Sequence, residues 1–168
     1  MALYVLLLCQ KTRLIIQYKL YFAFVKHLWL TDRRNDALNR LVHLCDVVDM
    51  VSHCEPACGN SLRSACWLEL GEWKLEGIST PNSNIPKSLQ VEVLSEFKRA
   101  TMMDGNYKSW HNWALLNFRI AQQMSDTDDA TSGRRRGATT SSQSQRNHVV
   151  AAIKSFLGAI CLGTKRWS

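Results

Sequence analysis

The stretch LIIQYKLYFAFVKHLWL, residues 14–30, decides the fold class because its apolar side chains recur every three or four positions. That spacing places them on one stripe of an α-helix. The polar run TDRRN, residues 31–35, then supplies turn and capping chemistry, and residues 38–51 repeat the same apolar period. The two segments predict an antiparallel helical hairpin. Its apolar positions are Leu14, Tyr18, Tyr21, Phe22, Val25, Leu28 and Trp29, followed by Leu38, Leu41, Val42, Cys45, Val48 and Val51.

Three further helices are predicted after the hairpin. Residues 55–60, EPACGN, have loop composition, and Ser61 can cap a helix that ends near Trp73 or Leu75. Residues 77–86 are also a loop by composition, with Pro86 in the first turn of the next helix. A turn at Asp104-Gly105-Asn106 then precedes a fifth helix. The buried faces of these last two helices carry Leu89, Val93, Leu94, Phe97 and Ala100, and Trp110, Trp113, Leu116, Asn117 and Ile120.

Residues 125–147 contain hardly an apolar side chain and are rich in Ser, Thr, Asp, Gln and Arg. Such a composition buries too little surface to offset the entropy of ordering, so a disordered polar and basic loop is predicted. The helical period resumes at residues 148–161, and no segment alternates as a half-buried strand does. The predicted organisation is an unassigned segment 1–17, a helical-repeat segment 18–124, the loop 125–147, and a truncated continuation of the repeat over 148–168.

Composition indicates a folded chain in a reducing compartment. With 168 residues, 46% of them apolar, it can bury a core. The formal charge of +7 permits contact with phosphate-bearing partners without requiring it. Six cysteines without a secretory signal favour free thiols over disulfides. No stretch reaches the roughly 18 apolar residues of a membrane-spanning helix, so we expect a soluble protein without direct membrane insertion.

A repeated phrase indicates stacked helix pairs. Trp67-x-x-Leu70-Gly71 fits half of the tetratricopeptide (TPR) signature, in which the aromatic side chain packs on the partner helix and the small residue permits close helix crossing. Weaker copies follow at 110–114 and 159–163, namely Trp110-x-x-Trp113-Ala114 and Ala159-x-x-Leu162-Gly163. The tyrosine positions of the signature hold Lys74 and Asn117. The prediction is therefore an all-α chain whose antiparallel helix pairs stack as a TPR/HEAT-like α-solenoid fragment.

Several phrases in this order and spacing resemble the FAT region of target-of-rapamycin (TOR) serine/threonine-protein kinases. They are CWLELGEW (66–73), IPK (85–87), AT (100–101) and YKSWHNWALLNF (107–118). Upstream, Tyr21-x-x-x-Val25-Lys26-x-x-Trp29 and Asp36-Ala37 are similar to the preceding helix pair of that region. Downstream, Val149-Val150-Ala151-Ala152-Ile153, Phe156 and Ile160 are similar to the helix after its variable loop. The resemblance covers about residues 18–162.

The resemblance implies a non-catalytic scaffold in TOR signalling that packs against the kinase domain of its parent protein and against TOR-complex subunits. It implies a cytoplasmic location, with access to the nucleus or endomembranes through partners, and no nucleic-acid partner. The catalytic phrases of kinases are absent from the sequence, including D-F-G, an H-R-D-like loop and a glycine-rich phosphate loop. The alternative is a free-standing TPR-type adaptor that binds a peptide tail.

The same resemblance implies one weak ligand contact. Some members of the wider kinase family hold an inositol hexakisphosphate with lysines and arginines in this region, and Lys108 occupies a matching position. Glu69 and Ala65 stand where basic side chains are expected, and a carboxylate repels a polyphosphate. Arg63 is a partial substitute. We therefore predict no cofactor and a weakened or absent polyphosphate site.

Other candidate chemistry has a structural alternative in each case. Zinc could be held by soft ligands clustered within residues 43–66, but Cys45 and Cys66 lie on apolar stripes and C-x-x-C pairs are absent, so buried thiols are the better prediction. His111 and the tryptophans are expected to pack. The run Arg134-x-Arg136-x-x-Thr139 has the form of a kinase substrate, although a solvated charge run is favoured. The zinc candidates are His43, Cys45, His53, Cys54, Cys58 and Cys66.

Overall fold

The fold is known from a computed structural model, which describes the backbone of residues 2–52, 56–78, 84–104, 106–130 and 138–164. Every secondary-structure element in these ranges is an α-helix, which confirms the predicted all-α class. None of the described helices is long and apolar enough to cross a membrane. The helices are α1 (Ala2–Leu30), α2 (Arg34–Ser52), α3 (Pro56–Glu76), α4 (Lys87–Met103), α5 (Tyr107–Ala130) and α6 (Ala138–Thr164).

The hairpin between α1 and α2 turns at the predicted polar run. Asp32 has φ 63°, a left-handed conformation that Asp tolerates better than bulky residues. The backbone N–H of Arg33 donates to the Leu28 carbonyl at 3.0 Å, and the Thr31 hydroxyl donates to the His27 carbonyl at 3.0 Å. The bond from Arg33 gives the Leu28 carbonyl at the end of α1 a backbone partner, and the His27 carbonyl accepts from both the hydroxyl and the backbone N–H of Thr31.

Three helix boundaries differ from prediction. Helix α1 begins at Ala2 and so includes most of the unassigned segment, because residues 2–13 contain neither Gly nor Pro to stop a helix. Helix α3 begins at Pro56, so the expected loop around Gly59-Asn60 is helical; proline is tolerated in a first turn, where its missing N–H would have no partner. Pro86 is the N-cap residue before α4, with extended φ −56° and ψ 139°.

Helix also enters the expected disordered loop 125–147 from both sides. Helix α5 continues to Ala130 and α6 begins at Ala138, whereas residues 131–137 lie outside the described part of the chain. The Gln145 side chain donates to the Ala121 carbonyl at 3.2 Å and to the Ser125 hydroxyl. Polar side chains thus join the two helices where composition alone had indicated no order. The division of the chain into four segments stays a prediction.

Consecutive helices pack on one another, and α1 to α5 share one hydrophobic core. Helix α3 crosses α4 at Gly71, where an added Cβ would lie 2.8 Å from Cδ1 and 3.1 Å from Cζ of Phe97. The small residue of the repeat signature therefore permits this close crossing, as predicted. Where α5 packs on α6, the close approach is at Gly158 and not at Gly163. An added Cβ at Gly158 would lie 3.1 Å from the Trp110 ring, whereas one at Gly163 would meet nothing within 4 Å. The deepest core side chains include Val25, Leu41, Leu44, Cys45, Cys66, Leu70, Val93, Phe97 and Ile120.

Candidate interaction surfaces

The odd-numbered helices α1, α3 and α5 lie side by side in one row. The Trp29 ring of α1 stacks on Trp73 of α3, with centroids 4.3 Å apart and planes 4° from parallel. Trp29 Nε1 also donates to Glu76 at 3.2 Å. Between α3 and α5, the Asn112 side-chain amide donates to Glu72. These contacts join the three helices into one row.

A groove of about 430 Å³ lies in this row between α3 and α5. We call it the α3/α5 groove. Phe97 of α4 forms its floor, and the walls are mainly apolar apart from two carboxylates on α3 and polar side chains on α5. The lining residues are Glu72, Leu75, Glu76, Ile78, Phe97, Asn112, Leu115, Leu116 and Arg119. Apolar walls with a few polar groups are typical of binding grooves.

The α3 wall of the groove is acidic. Glu69, Glu72 and Glu76 follow one another along the same side of α3. Glu69 pairs with Lys26 of α1 at 2.9 Å and accepts from Trp73 Nε1 at 3.2 Å. Burial raises the pKa of Glu72, and the nearby Glu69 charge raises it further against the opposing hydrogen bond from Asn112. Glu72 is thus a half-buried carboxylate whose pKa stays raised although Asn112 and the Lys26 charge oppose the shift.

Helix α6 carries a second apolar surface. One of its faces packs on α5 through buried Ala152, Ser155 and Ala159. The opposite face exposes five large apolar side chains, which we call the α6 stripe. They are Val149 (39% exposed), Val150 (48%), Ile153 (55%), Leu157 (57%) and Ile160 (60%). Their three- and four-residue spacing is that of a helix face that packs on another element.

A pair of buried charges lies between α3 and α4. Lys74 bonds Glu92 and Glu96, each at 2.5 Å. Burial lowers the pKa of Lys74, but the two carboxylates outweigh it and raise that pKa. Burial also raises the pKa of Glu96, against the opposing effect of Lys74, because Glu96 is the more deeply buried partner. This cluster joins α3 to α4.

The predicted polyphosphate residues are not joined in one basic pocket by any contact of their side chains. Lys108 is exposed in the first turn of α5. Arg63 is buried in α3 and pairs with Asp49 of α2 at 2.8 Å, so its charge is balanced within the fold. Glu69, as described above, is paired with Lys26. The weakened polyphosphate contact at Lys108 stays a prediction.

The predicted buried thiols are confirmed for Cys45 and Cys66, which are 1% and 0% exposed. The pKa of Cys45 is raised, first by its hydrogen bond with Cys66 and then by burial. Among the described residues, no group of three or more candidate ligands is arranged to hold a metal ion. His53 and Cys54 lie outside those residues, and so does the side chain of Cys58.

The aromatic residues pack, as predicted. Trp67 and Trp73 are buried, at 7% and 3% exposure, and Trp110 and Trp113 contact each other with ring centroids 5.8 Å apart. His111 meets Phe156 of α6 edge-on at 5.8 Å. The side chain of Thr139 is outside the described residues, so its phosphorylation stays a prediction.

Two features were missed by reasoning from sequence. The α3/α5 groove joins residues about forty positions apart, such as Glu72 and Asn112, and no local pattern marks that pairing. His148 Nδ1 bonds the Asn117 side-chain oxygen at 2.8 Å, and burial lowers the pKa of His148. Asn117 stands at a tyrosine position of the repeat signature, which could have marked it as a polar residue in an apolar place.

Comparison with known proteins adds a family match over nearly the whole chain. Residues 2–167 match the FAT domain. The chain is 27% identical over 161 residues to serine/threonine-protein kinase tor1 of Schizosaccharomyces pombe, a match that covers 86% of the chain and 6% of the relative. It is 26% identical to TOR2 of Saccharomyces cerevisiae, covering 84% and 7%, and 25% identical to mTor of Drosophila melanogaster, covering 84% and 6%. The chain thus spans less than a tenth of these relatives.

Proposed function

Because this chain belongs to the FAT domain family, we propose that it is a non-catalytic helical-repeat scaffold within a TOR-like serine/threonine-protein kinase. Its task is to hold the kinase domain and the partner subunits in position through packed helix faces. The chemistry is interfacial, since the sequence carries no nucleotide-binding or catalytic phrase of a kinase. The same proposal places it in the cytoplasm, with the nucleus or endomembranes reached through partners.

The α6 stripe is the observation that carries this proposal. A helix pair in a repeat array buries its apolar face only against a neighbour, so a helix at the edge of a unit keeps one face ready for contact. The α6 stripe places five large apolar side chains, at 39–60% exposure, on one helix face, and a grouped apolar surface of this kind is typical of a contact site. Their natural cover is a further helix of the same scaffold or a surface of the kinase domain.

The isolated chain tests the proposal because its stripe has no such cover. We expect it to self-associate in sedimentation, and we expect Ile153→Asp with Leu157→Asp to release monomers, since each carboxylate makes burial of the stripe costly. Val91→Asp is the matched control, because Val91 is exposed (70%) on α4, away from the stripe. A wild-type chain that sediments as a monomer and melts cooperatively by circular dichroism would contradict the proposal.

A further inference from the structure

We propose that the α3/α5 groove docks a basic amphipathic helix of a partner protein. The proposal rests on the scaffold function above and adds the chemistry of one partner. It concerns a surface on the row of odd-numbered helices, which is distinct from the α6 stripe.

The shape and lining of the groove suit a helix. One wall comes from α3, the other comes from α5, and Phe97 of α4 forms the floor. Leu75 of α3, Ile78 just after α3, and Leu115 of α5 give it apolar lining, and Leu115 is 46% exposed. Apolar side chains that project from one face of a helix at i, i+3 or i+4, and i+7 fill such grooves. The volume of about 430 Å³ is enough for two or three of them.

The charge of the groove selects a basic partner. Glu72 and Glu76 lie one helical turn apart on the α3 wall and receive hydrogen bonds from the neutral donors Asn112 and Trp29. These donors leave the negative charge in place, and Lys26 is already paired with Glu69. Arg119 adds one positive charge on the opposite wall. The α3 wall is therefore negative in a chain whose net charge is +7.

A Lys or Arg delivered into this groove would add positive charge beside Glu72 and Glu76. Interactions at partly desolvated carboxylates are stronger than those between fully exposed charges. An acidic or polyphosphate ligand would instead meet two carboxylates at close range and be repelled. Charge complementarity of this kind acts mainly on partner choice and on the rate of encounter.

The test uses the full chain and a labelled helical peptide of about 18 residues, roughly five turns, built from Leu, Ala and Lys. Leu occupies one face, Lys flanks it, and a second peptide replaces each Lys by Glu. Fluorescence anisotropy at low salt should show the Lys peptide binding at least about tenfold more tightly than the Glu peptide. Equal binding of the two peptides, or no binding of the Lys peptide, would overturn the proposal.

Variants assign the binding to the groove. The double variant Glu72→Gln with Glu76→Gln should bind the Lys peptide roughly tenfold more weakly and should no longer bind it more tightly than the Glu peptide. Glu76→Gln alone alters an exposed residue and should give a smaller loss without affecting folding. Asp46→Asn removes an exposed charge from α2 and should change nothing. Unchanged binding of the Lys peptide by the Glu72 and Glu76 variants would refute the proposal.

Different measurements test the scaffold function and the docking site, so one proposal can be refuted without the other. The Ile153→Asp and Leu157→Asp pair should leave peptide binding intact, because the stripe lies on α6 and the groove between α3 and α5. Sedimentation reports on the scaffold proposal and anisotropy on the groove. Peptide binding abolished by the stripe variant would show that the peptide bound elsewhere and would refute the docking site.

Discussion

Replacing Gly71 by Ala should destabilise the chain even though alanine is the better helix former. The added Cβ would lie 2.8 Å from Phe97 Cδ1, closer than real Cβ contacts, so the Phe97 ring, which is only 1% exposed, would have to shift from its packed position. Overpacking of this kind costs about 1–3 kcal/mol. The helix-propensity gain of Gly to Ala returns at most about 1 kcal/mol. We expect a net loss of about 1 kcal/mol.

Gly163→Ala is the matched control. An added Cβ there meets nothing within 4 Å, so only the propensity gain applies, and it is reduced because Gly163 lies beside the end of α6. The control should be neutral or slightly stabilising. If Gly71→Ala lowers the free energy of unfolding and Gly163→Ala does not, the close contact with Phe97 is the cause of the loss.

The assay is thermal unfolding followed by circular dichroism, carried out in the Ile153→Asp and Leu157→Asp background so that association does not contribute. For a chain of this length, a loss of 1 kcal/mol lowers Tm by about 2–4 °C. Phe97→Leu should cost less in the Gly71→Ala chain than in the parent, with a coupling of about 1 kcal/mol. A Gly71→Ala chain at least as stable as Gly163→Ala would refute the argument.

Two further predictions concern buried polar contacts. Burial lowers the pKa of His148 below 6.5, so the stability that the neutral ring contributes is present above pH 6.5 and is lost as the pH falls through the folded-state pKa. In melts recorded from pH 7.5 to 5, His148→Gln should therefore lose less stability on the acid side than the parent chain. An unchanged dependence of stability on pH would contradict this prediction. Asp49→Ala removes the carboxylate that accepts from the Arg63 guanidinium and from Trp67 Nε1. It should lower the free energy of unfolding, measured in urea, by about 2–3 kcal/mol. A loss below about 0.5 kcal/mol would show that the Asp49–Arg63 pair is dispensable.

The helices that could be predicted are those whose signals are local. The turn after Leu30 was found because polar residues interrupt a regular apolar period, and Gly71 was found because a small residue follows an aromatic one at a fixed spacing. The class and the stacking of the pairs followed from these two kinds of pattern. Both depend on residues that are close in sequence.

Most of the features that differ from prediction or were missed depend on distant residues. The helical order around Gln145 comes from contacts with Ala121 and Ser125, about twenty positions away, which composition cannot reveal. The α3/α5 groove likewise needs α4 to present Phe97 between two other helices. Helix starts at Ala2 and Pro56 were misplaced because apolar runs and prolines have more than one local use.

The stacked indoles of Trp29 and Trp73 also give the protein an optical property. Two nearly parallel indole rings with centroids 4.3 Å apart are close enough for their electronic transitions to couple. Such coupling depends on the distance and orientation of the rings and vanishes when α1 leaves α3. The chain therefore carries an intrinsic spectroscopic reporter of the contact between α1 and α3, readable without any added label while partners bind or repeats separate.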